Sequence, residues 1–208
     1  MLHVETVEPK AFSILERLMR LKVLLPFSLV GGTALSLRYG HRKSIDIDLF
    51  SNEKFDPLLI VKELKKEFGD DYSLESKSVR WGIFCYLDNV KVDIVFHDHP
   101  LLDAIEVTEN IRMYSDKDII AMKINAILGR GKKKDFWDLH ELLIHYSLSD
   151  IIGFHEAKFP EQNLLITIPQ AITYYEDAEE SEDPFSLKGQ KWETIKKFIQ
   201  HKVSEYLK

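Results

Sequence analysis

Two aspartates, Asp46 and Asp48, stand two residues apart in the otherwise apolar run SIDIDLF. If this run forms a strand, both carboxylates lie on one face, because side chains alternate along a strand. Ile45, Ile47 and Leu49 then point the other way, into a core. Like charges repel each other, and each is costly to bury. Either this face is solvated or a cation lies between the two aspartates.

A third aspartate, Asp93, lies on the polar face of the alternating run VKVDIVF. If the two strands are neighbours, three carboxylates meet on one face of a sheet, which is destabilising without a counter-ion. A pair of Mg²⁺ (or Mn²⁺) ions would resolve this, because Mg²⁺ takes hard oxygen ligands together with substrate phosphates. The expected ligands are Asp46, Asp48 and Asp93. Such a two-metal site clamps the attacking and leaving oxygens of a displacement at phosphorus, with Asp93 on the metal that activates the acceptor hydroxyl.

A glycine pair, Gly31 and Gly32, separates a predicted strand (FSLV) from a predicted helix (TALSLRYG). Glycines let a ligand approach the backbone, and the following helix N-terminus offers free N–H groups to a phosphate. Thr33 is the expected N-cap of that helix. We expect Gly31, Gly32 and Thr33 to face the triphosphate of a nucleotide; the alternative is an ordinary Gly-Gly turn.

The elements around these residues are of two kinds. Strands and helices alternate up to about residue 110, and only helices are predicted after it. We therefore expect an α+β core over residues 1–110 and a helical module over 111–208 packed on that core, since no Gly/Ser-rich linker separates them. The pattern predicts a hairpin at SVRWGIFCYLD-N-VKVDIVFHD, and helices at PKAFSILERLMRLKVL, DPLLIVKELKKEF, SDKDIIAMKINAILGR, KKDFWDLHELLIHY, LSDIIGFHEAKF and GQKWETIKKFIQHKVSEYL.

The run VGGTALSLRYGHRKSIDIDLF resembles the signature of polymerase β-like nucleotidyltransferases: a Gly-Gly turn, a short helix, then Asp-x-Asp on a strand. Its form GGTAL…R…S.DIDLF, which includes Ser44, is most similar to the AbiEii/AbiGii toxin branch. A second block, DIIAMKINAILGRGKKKDFWDLHEL, is similar to the helical motif of that branch. The resemblance covers about residues 25–145. The matching positions of the second block are Lys123, Arg130, Lys134, Asp135 and Asp138.

The resemblance implies a polymerase β-like core, a mixed sheet flanked by helices, and transfer of a nucleoside monophosphate from an NTP with release of pyrophosphate. It implies RNA as acceptor, in some members the 3′ end of tRNA, and a growth-arresting toxin with a separate antitoxin protein. It also implies a nucleotide-binding set that includes Ser44. In that set Lys123 binds the triphosphate, Arg130 and Lys134 bind phosphates or RNA backbone, and Asp135 orients a lysine.

Other functions stay open at this stage. A short basic cluster, GRGKKKD, leaves room for a small-molecule nucleotidyltransferase that modifies an antibiotic or metabolite. A non-catalytic binding module of the same fold is a second alternative, although the presence of all three carboxylates favours an enzyme. A zinc site at His97, Asp98 and His99 is a third, but the sequence holds no HExxH helix and no Cys near that segment.

Bulk composition sets few limits. The 208 residues carry a net charge of −6, which is not typical of a nucleic-acid-binding protein, although a local basic cluster can still bind anions. The single Cys85 excludes an intrachain disulfide. The sequence has no apolar run of membrane-spanning length and no signal-peptide pattern at its start, so we expect a cytoplasmic protein without a membrane partner.

Overall fold

A mixed β-sheet lies at the centre of the protein. The computed structural model describes residues 1–75 and 82–208. Within these residues the strands are β1 (Ser28–Val30), β2 (Ile47–Ser51), β3 (Tyr72–Leu74), β4 (Gly82–Leu87), β5 (Val90–Phe96), β6 (Glu106–Thr108) and β7 (Ile111–Met113). They form one sheet in the order β3-β4-β5-β2-β1-β7-β6. The β2–β5 and β1–β7 pairs are parallel, and the other neighbours are antiparallel.

Helices flank this sheet and make up most of the chain after it. They are α1 (Pro9–Arg20), α2 (Gly31–Tyr39), α3 (Pro57–Phe68), α4 (Asp116–Gly129), α5 (Lys133–His145), α6 (Leu148–Lys158), α7 (Ile168–Ala171), α8 (Glu176–Glu179) and α9 (Trp192–Tyr206). Several ends follow local sequence signals. The Asp56 side chain caps α3, the Ser115 side chain caps α4, and Gly40 in the left-handed conformation ends α2. The predicted α+β class is confirmed.

The alternation of the two central strands sets which residues reach the site. Ile47 and Leu49 of β2 and Ile94 of β5 are buried in the core. Because side chains alternate along a strand, Asp48 and Asp93 lie on the opposite face. This face is partly exposed at both positions. Core packing therefore orients the two aspartates.

One hydrophobic cluster joins the sheet to the helices on both sides of residue 110. Leu35 in α2, Ile120 in α4 and Leu139 in α5 are all fully buried in it. Strand β7 begins at Ile111, so the sheet continues beyond the predicted core segment. No helix among the described residues combines the length and apolar character needed to cross a bilayer.

Some local predictions were wrong. The strand predicted from Ser44 begins at Ile47, and Ile45 is 63% exposed instead of buried. Helix α2 begins at Gly31, so Thr33 lies inside it and is not its N-cap. The predicted first helix ends at Arg20 and is followed by a 3₁₀ turn. The start of the predicted strand SVRWGIFCYLD, at 78–81, lies outside the described residues.

Candidate active site

Asp48 and Asp93 are direct neighbours across the parallel strands β2 and β5. Neighbouring strands lie roughly 4.8 Å apart, so in-register side chains on one face are adjacent. Asp93 has Lys91 Nζ 3.6 Å from its Oδ2, while its Oδ1 is buried without a hydrogen-bond partner among the described residues. Two carboxylates thus share one face, and Lys91 lies beside Asp93.

This arrangement disfavours the charged form of both groups. Burial, followed by the charges of Asp93 and Asp46, raises the pKa of Asp48 to about 6. Burial also raises the pKa of Asp93, although Lys91 partly opposes this. The raised pKa values have the physical cause expected of clustered carboxylates that lack a cation.

Asp46 lies one residue before β2, at the edge of the pair. Its Oδ2 is 3.4 Å from Lys134 Nζ in α5. Its backbone carbonyl accepts a hydrogen bond from the Thr33 hydroxyl, which also lies 2.8 Å from Ser44 Oγ. Thr33 and Ser44, both predicted to bind nucleotide, therefore hold the turn that carries Asp46.

The glycine pair lies directly beside these groups. A Cβ on Gly31 would lie 2.7 Å from Asp48 Oδ2, and Gly31 has a φ of +71°. A Cβ on Gly32 would lie 2.2 Å from Arg42 Nη2. Real Cβ atoms essentially never come this close to another heavy atom, so a side chain at either position would force Asp48 or Arg42 to shift. The backbone of the α2 N-terminus consequently approaches the carboxylates closely, where free N–H groups favour an anion.

Two clefts border the aspartates, and we name them by their lining. The carboxylate cleft has a volume of about 450 Å³, and its lining includes Gly31, Asp48, Phe50, Asp93, His97, Lys123, Asn125, Arg130 and Phe159. The lysine cleft has a volume of about 460 Å³, and its lining includes Arg42, Lys43, Ser44, Ile45, Asp46, Lys132, Lys134, Asp183 and Phe185. Asp46 therefore opens onto a different cleft from Asp48 and Asp93.

The predicted triphosphate lysine, Lys123, is buried within an ion-pair network. Its Nζ lies 2.9 Å from Asp135 Oδ1 and 2.9 Å from Asp138 Oδ2. Although burial opposes the charge, Asp138 and Asp135 raise the pKa of Lys123. Asp135 also accepts a bond from the Lys132 backbone N–H, and Arg130 Nε lies 3.5 Å from its Oδ2. Lys123 reaches the edge of the carboxylate cleft from this network.

Sequence reasoning missed His41 and Arg42, which complete the network. Arg42 Nε and Nη2 donate to Asp138 Oδ1 and Oδ2 at 2.6 and 2.8 Å, and His41 Nε2 lies 2.7 Å from Oδ1. Burial opposes ionisation, yet Arg42, Lys123 and these hydrogen bonds hold the pKa of Asp138 well below its usual range. The signal was present in YGHRKS, where two basic side chains directly precede the Asp-x-Asp strand. The network ties that segment to α4 and α5.

The carboxylates suit a metal that substrate helps to bind. No group of three His, Cys, Asp or Glu side chains in the described part of the chain is arranged to hold a metal ion by itself. Asp48 and Asp93 nevertheless offer adjacent hard oxygen donors, and Asp93 Oδ1 is unpaired among the described residues. This donor set fits Mg²⁺ or Mn²⁺, which commonly use one or two carboxylates and complete the shell with substrate phosphates.

Comparison with known proteins shows the family to which the chain is similar over most of its length. The family model described as nucleotidyl transferase AbiEii toxin, Type IV TA system, matches residues 13–200. An uncharacterized protein of Aquifex aeolicus (strain VF5) is 34% identical over 203 residues, which cover 93% of this chain and 94% of that protein. The family match thus spans nearly the whole chain, including both clefts.

Two solved structures share the fold. A putative nucleotidyltransferase from H. pylori is 21% identical, with a TM-score of 0.56 and coverage of 97% of this chain and 99% of that one. The MenT4 nucleotidyltransferase toxin of Mycobacterium tuberculosis H37Rv is 12% identical, with a TM-score of 0.54 and coverage of 95% and 86%. At these identities the likeness shows the fold alone.

Proposed function

Since this chain belongs to the AbiEii family of nucleotidyl transferase toxins, a type IV toxin–antitoxin family, we propose that it transfers a nucleoside monophosphate from an NTP to RNA. The proposed acceptor is a hydroxyl of RNA, with the 3′ end of tRNA as the first candidate. The reaction would require Mg²⁺ or Mn²⁺ and would release pyrophosphate. Its proposed substrates are intracellular, so we infer a cytoplasmic location.

The adjacency of Asp48 and Asp93 carries this proposal. The pair shares one cleft with the backbone of Gly31 and with Lys123. An acidic pair beside a glycine turn and a buried lysine is suited to a polyphosphate that arrives with its own cations. A purely solvated strand face would not need a glycine so close to the carboxylate that a Cβ would lie 2.7 Å from Asp48 Oδ2.

The residues then have separate roles. Bound Mg²⁺ or Mn²⁺ would neutralise phosphate charge and make the acceptor hydroxyl more acidic. The N–H groups at Gly31 and Gly32 bind the triphosphate. Asp93 takes the hydroxyl proton, and its Oδ1 has no hydrogen-bond partner among the described residues. The acceptor oxygen bonds to the α-phosphorus, the bond to the bridging oxygen breaks, and pyrophosphate leaves with that electron pair.

The basic residues of the lysine cleft support a polyanionic acceptor. Lys43, Lys132 and Lys134 line this cleft beside Asp46, and Lys132 is exposed. Phosphates of RNA would bind there through counterion release. We also propose an antitoxin protein as a cognate partner, in keeping with the family of toxins to which the chain belongs.

The test measures transfer of label from each α-³²P NTP into total cellular RNA with Mg²⁺ or Mn²⁺. Wild type is compared with Asp46→Asn/Asp48→Asn and with Asp70→Asn/Asp71→Asn, an exposed pair with the same change of charge. The proposal is supported if the Asp46→Asn/Asp48→Asn variant loses RNA labelling and the Asp70→Asn/Asp71→Asn variant keeps it. The NTP that gives label in wild type then identifies the nucleotide.

Two other outcomes would change the conclusion. Metal-dependent nucleotide binding without labelled RNA would redirect the search to small-molecule acceptors. Absence of both binding and label would overturn the proposed reaction.

A further inference from the structure

A second groove continues from the carboxylate cleft, and the proposed reaction does not use it. We name it the outer groove. Its volume is about 540 Å³, and its lining includes Asp98, His99, Pro100, Asn125, Phe159 and Gln162. Asn125 and Phe159 line both spaces. A molecule whose phosphates lie near Asp48 and Asp93 can therefore extend into the outer groove.

Aromatic rings form the boundary between the two spaces. His97 and Phe159 are nearly parallel, at an interplanar angle of 22° and a centroid distance of 6.1 Å. His99 packs edge-on against both rings, at 4.6 Å from His97 and 4.7 Å from Phe159. Phe50 contacts His97 from the side of β2, with centroids 5.6 Å apart. His99 is exposed and lines the outer groove, so its flat ring is suited to stacking against a nucleobase.

Two amides lie at the same boundary. Gln162 Nε2 donates to Asn125 Oδ1 at 2.9 Å. This bond leaves the Asn125 NH₂ group as a donor and the Gln162 Oε1 as an acceptor. Each of these free groups can hydrogen-bond to the edge of a nucleobase, which presents both donors and acceptors. Gln162 is exposed, so its amide is accessible from the groove.

We propose that the outer groove binds a nucleobase, stacked on the exposed ring of His99 beside Phe159 and selected by the amides of Asn125 and Gln162. This inference rests on the proposed nucleotidyl transfer and assigns the part of the site that distinguishes bases. The base belongs either to the NTP or to the terminal nucleotide of the acceptor. The shared chemistry is a purine or pyrimidine ring.

The charge state of His97 is compatible with a nucleobase stacked at this boundary. Burial lowers the pKa of His97 to about 4, and the neighbouring Lys158 and His99 contribute to the shift. Lys158 is itself held 2.7 Å from Asp118 and 2.9 Å from the Pro100 carbonyl, which fixes the segment that carries His99. His97 is therefore neutral near pH 7 and presents an uncharged surface.

The experiment compares base preference in three variants: Asn125→Leu, Gln162→Leu and, as a matched control, Gln200→Leu on the exposed side of α9. One arm measures kcat/KM for the four NTPs with a fixed acceptor. The other arm uses one NTP and acceptors that differ only in the terminal base. Loss of one neutral hydrogen bond should change a preference ratio by about 3- to 10-fold.

A change in the ratio among NTPs assigns the groove to the nucleotide, and a change among acceptors assigns it to the acceptor. An equal loss for every base, or no change in either ratio, overturns the proposal. The exposed Gln162→Leu variant keeps the test valid if Asn125→Leu does not fold.

Binding without turnover separates this inference from the proposed function. Calorimetry with each NTP and with short oligonucleotides reports base preference even if wild type transfers nothing. If wild type binds one base preferentially and the Asn125→Leu and Gln162→Leu variants lose that preference, the result supports nucleobase binding in the outer groove even though the transfer proposal fails. Wild type that binds neither class of ligand overturns both.

Discussion

Gly31 lies so close to Asp48 that a side chain at position 31 would displace the Asp48 carboxylate. A Cβ on Gly31 would lie 2.7 Å from Asp48 Oδ2, and the Gly31 backbone has a φ of +71°. The glycine turn between β1 and α2 thus forms a wall of the pocket around one carboxylate. The position of Asp48 in β2 therefore depends on the absence of a side chain at the start of α2, the preceding element.

Gly31→Ala should therefore cost both stability and activity. The left-handed backbone alone costs about 1–2 kcal/mol for a residue with a Cβ, and the clash moves Asp48 in addition. Gly189→Ala is the matched control, because Gly189 has a φ of +72° and open space around its Cβ position. Urea unfolding should show a similar backbone cost in both, while label transfer should be lost only in Gly31→Ala. Equal activity in the two variants would contradict the contact.

Stability in metal-free buffer should fall as the pH rises from about 4 to 6. The pKa of Asp48 is raised to about 6 in the folded protein, against about 3.9 in the unfolded chain. The folded state thus binds more protons in this window, and unfolding becomes easier as the proton leaves. The difference amounts to at most about 3 kcal/mol.

Asp48→Asn removes this dependence. Urea unfolding at several pH values in EDTA should show the variant gaining stability over wild type as the pH rises from about 4 to 6. Asp70→Asn, at an exposed aspartate, should follow wild type throughout. If the difference in free energy of unfolding between Asp48→Asn and wild type stays constant from pH 4 to 7, the raised pKa of Asp48 is contradicted.

Mg²⁺ or Mn²⁺ should stabilise the protein through the same pair. A ligand at ten times its Kd adds about 1.4 kcal/mol to the free energy of unfolding. Protons compete for Asp48, so the metal-induced rise in melting temperature should be larger at pH 8 than at pH 5. Asp48→Asn/Asp93→Asn should lose it. A rise of the same size in this double variant would place the metal elsewhere.

Asp138→Asn should destabilise the fold far more than a surface change of the same kind. Asp138 is fully buried between Arg42 and Lys123. Removing one partner of a buried ion pair costs about 3–5 kcal/mol, because a buried charge stays uncompensated. Asp183→Asn is the control: the exposed Asp183 side chain pairs with Lys133 at 2.9 Å, and its loss should cost less than about 1 kcal/mol. Similar unfolding midpoints for the two would refute the structural role of the network.

Lys132→Ala should weaken RNA binding and reduce its dependence on salt. The exposed Lys132 lines the lysine cleft, and loss of one phosphate contact lowers the slope of log K against log salt by about 1. Lys197→Ala removes an exposed lysine from α9 and should leave the slope unchanged. If the acceptor is a small molecule, neither variant changes the slope.

Local sequence patterns predicted helices and strands correctly where a single signal dominated. Alternating apolar residues predicted β2 and β5, and helical patterns predicted α3 and α4. The prediction of Thr33 as an N-cap was wrong because a threonine hydroxyl can bond to a neighbouring loop as well as to a helix end. Only the fold shows that Ser44 and the Asp46 carbonyl lie beside it. The prediction that Ile45 is buried was wrong because side chains alternate only within the strand, which begins two residues later at Ile47.

The sequence by itself determined the residue types of the site: three carboxylates, a glycine pair and a basic block in a fixed order. The tertiary structure decided their partners. It paired Asp48 with Asp93 in register and turned Asp46 towards Lys134. It also closed Lys123 and Arg42 around Asp138. Spacing along a chain fixes which face a side chain takes, whereas distances between strands and helices follow from the packing of the whole core.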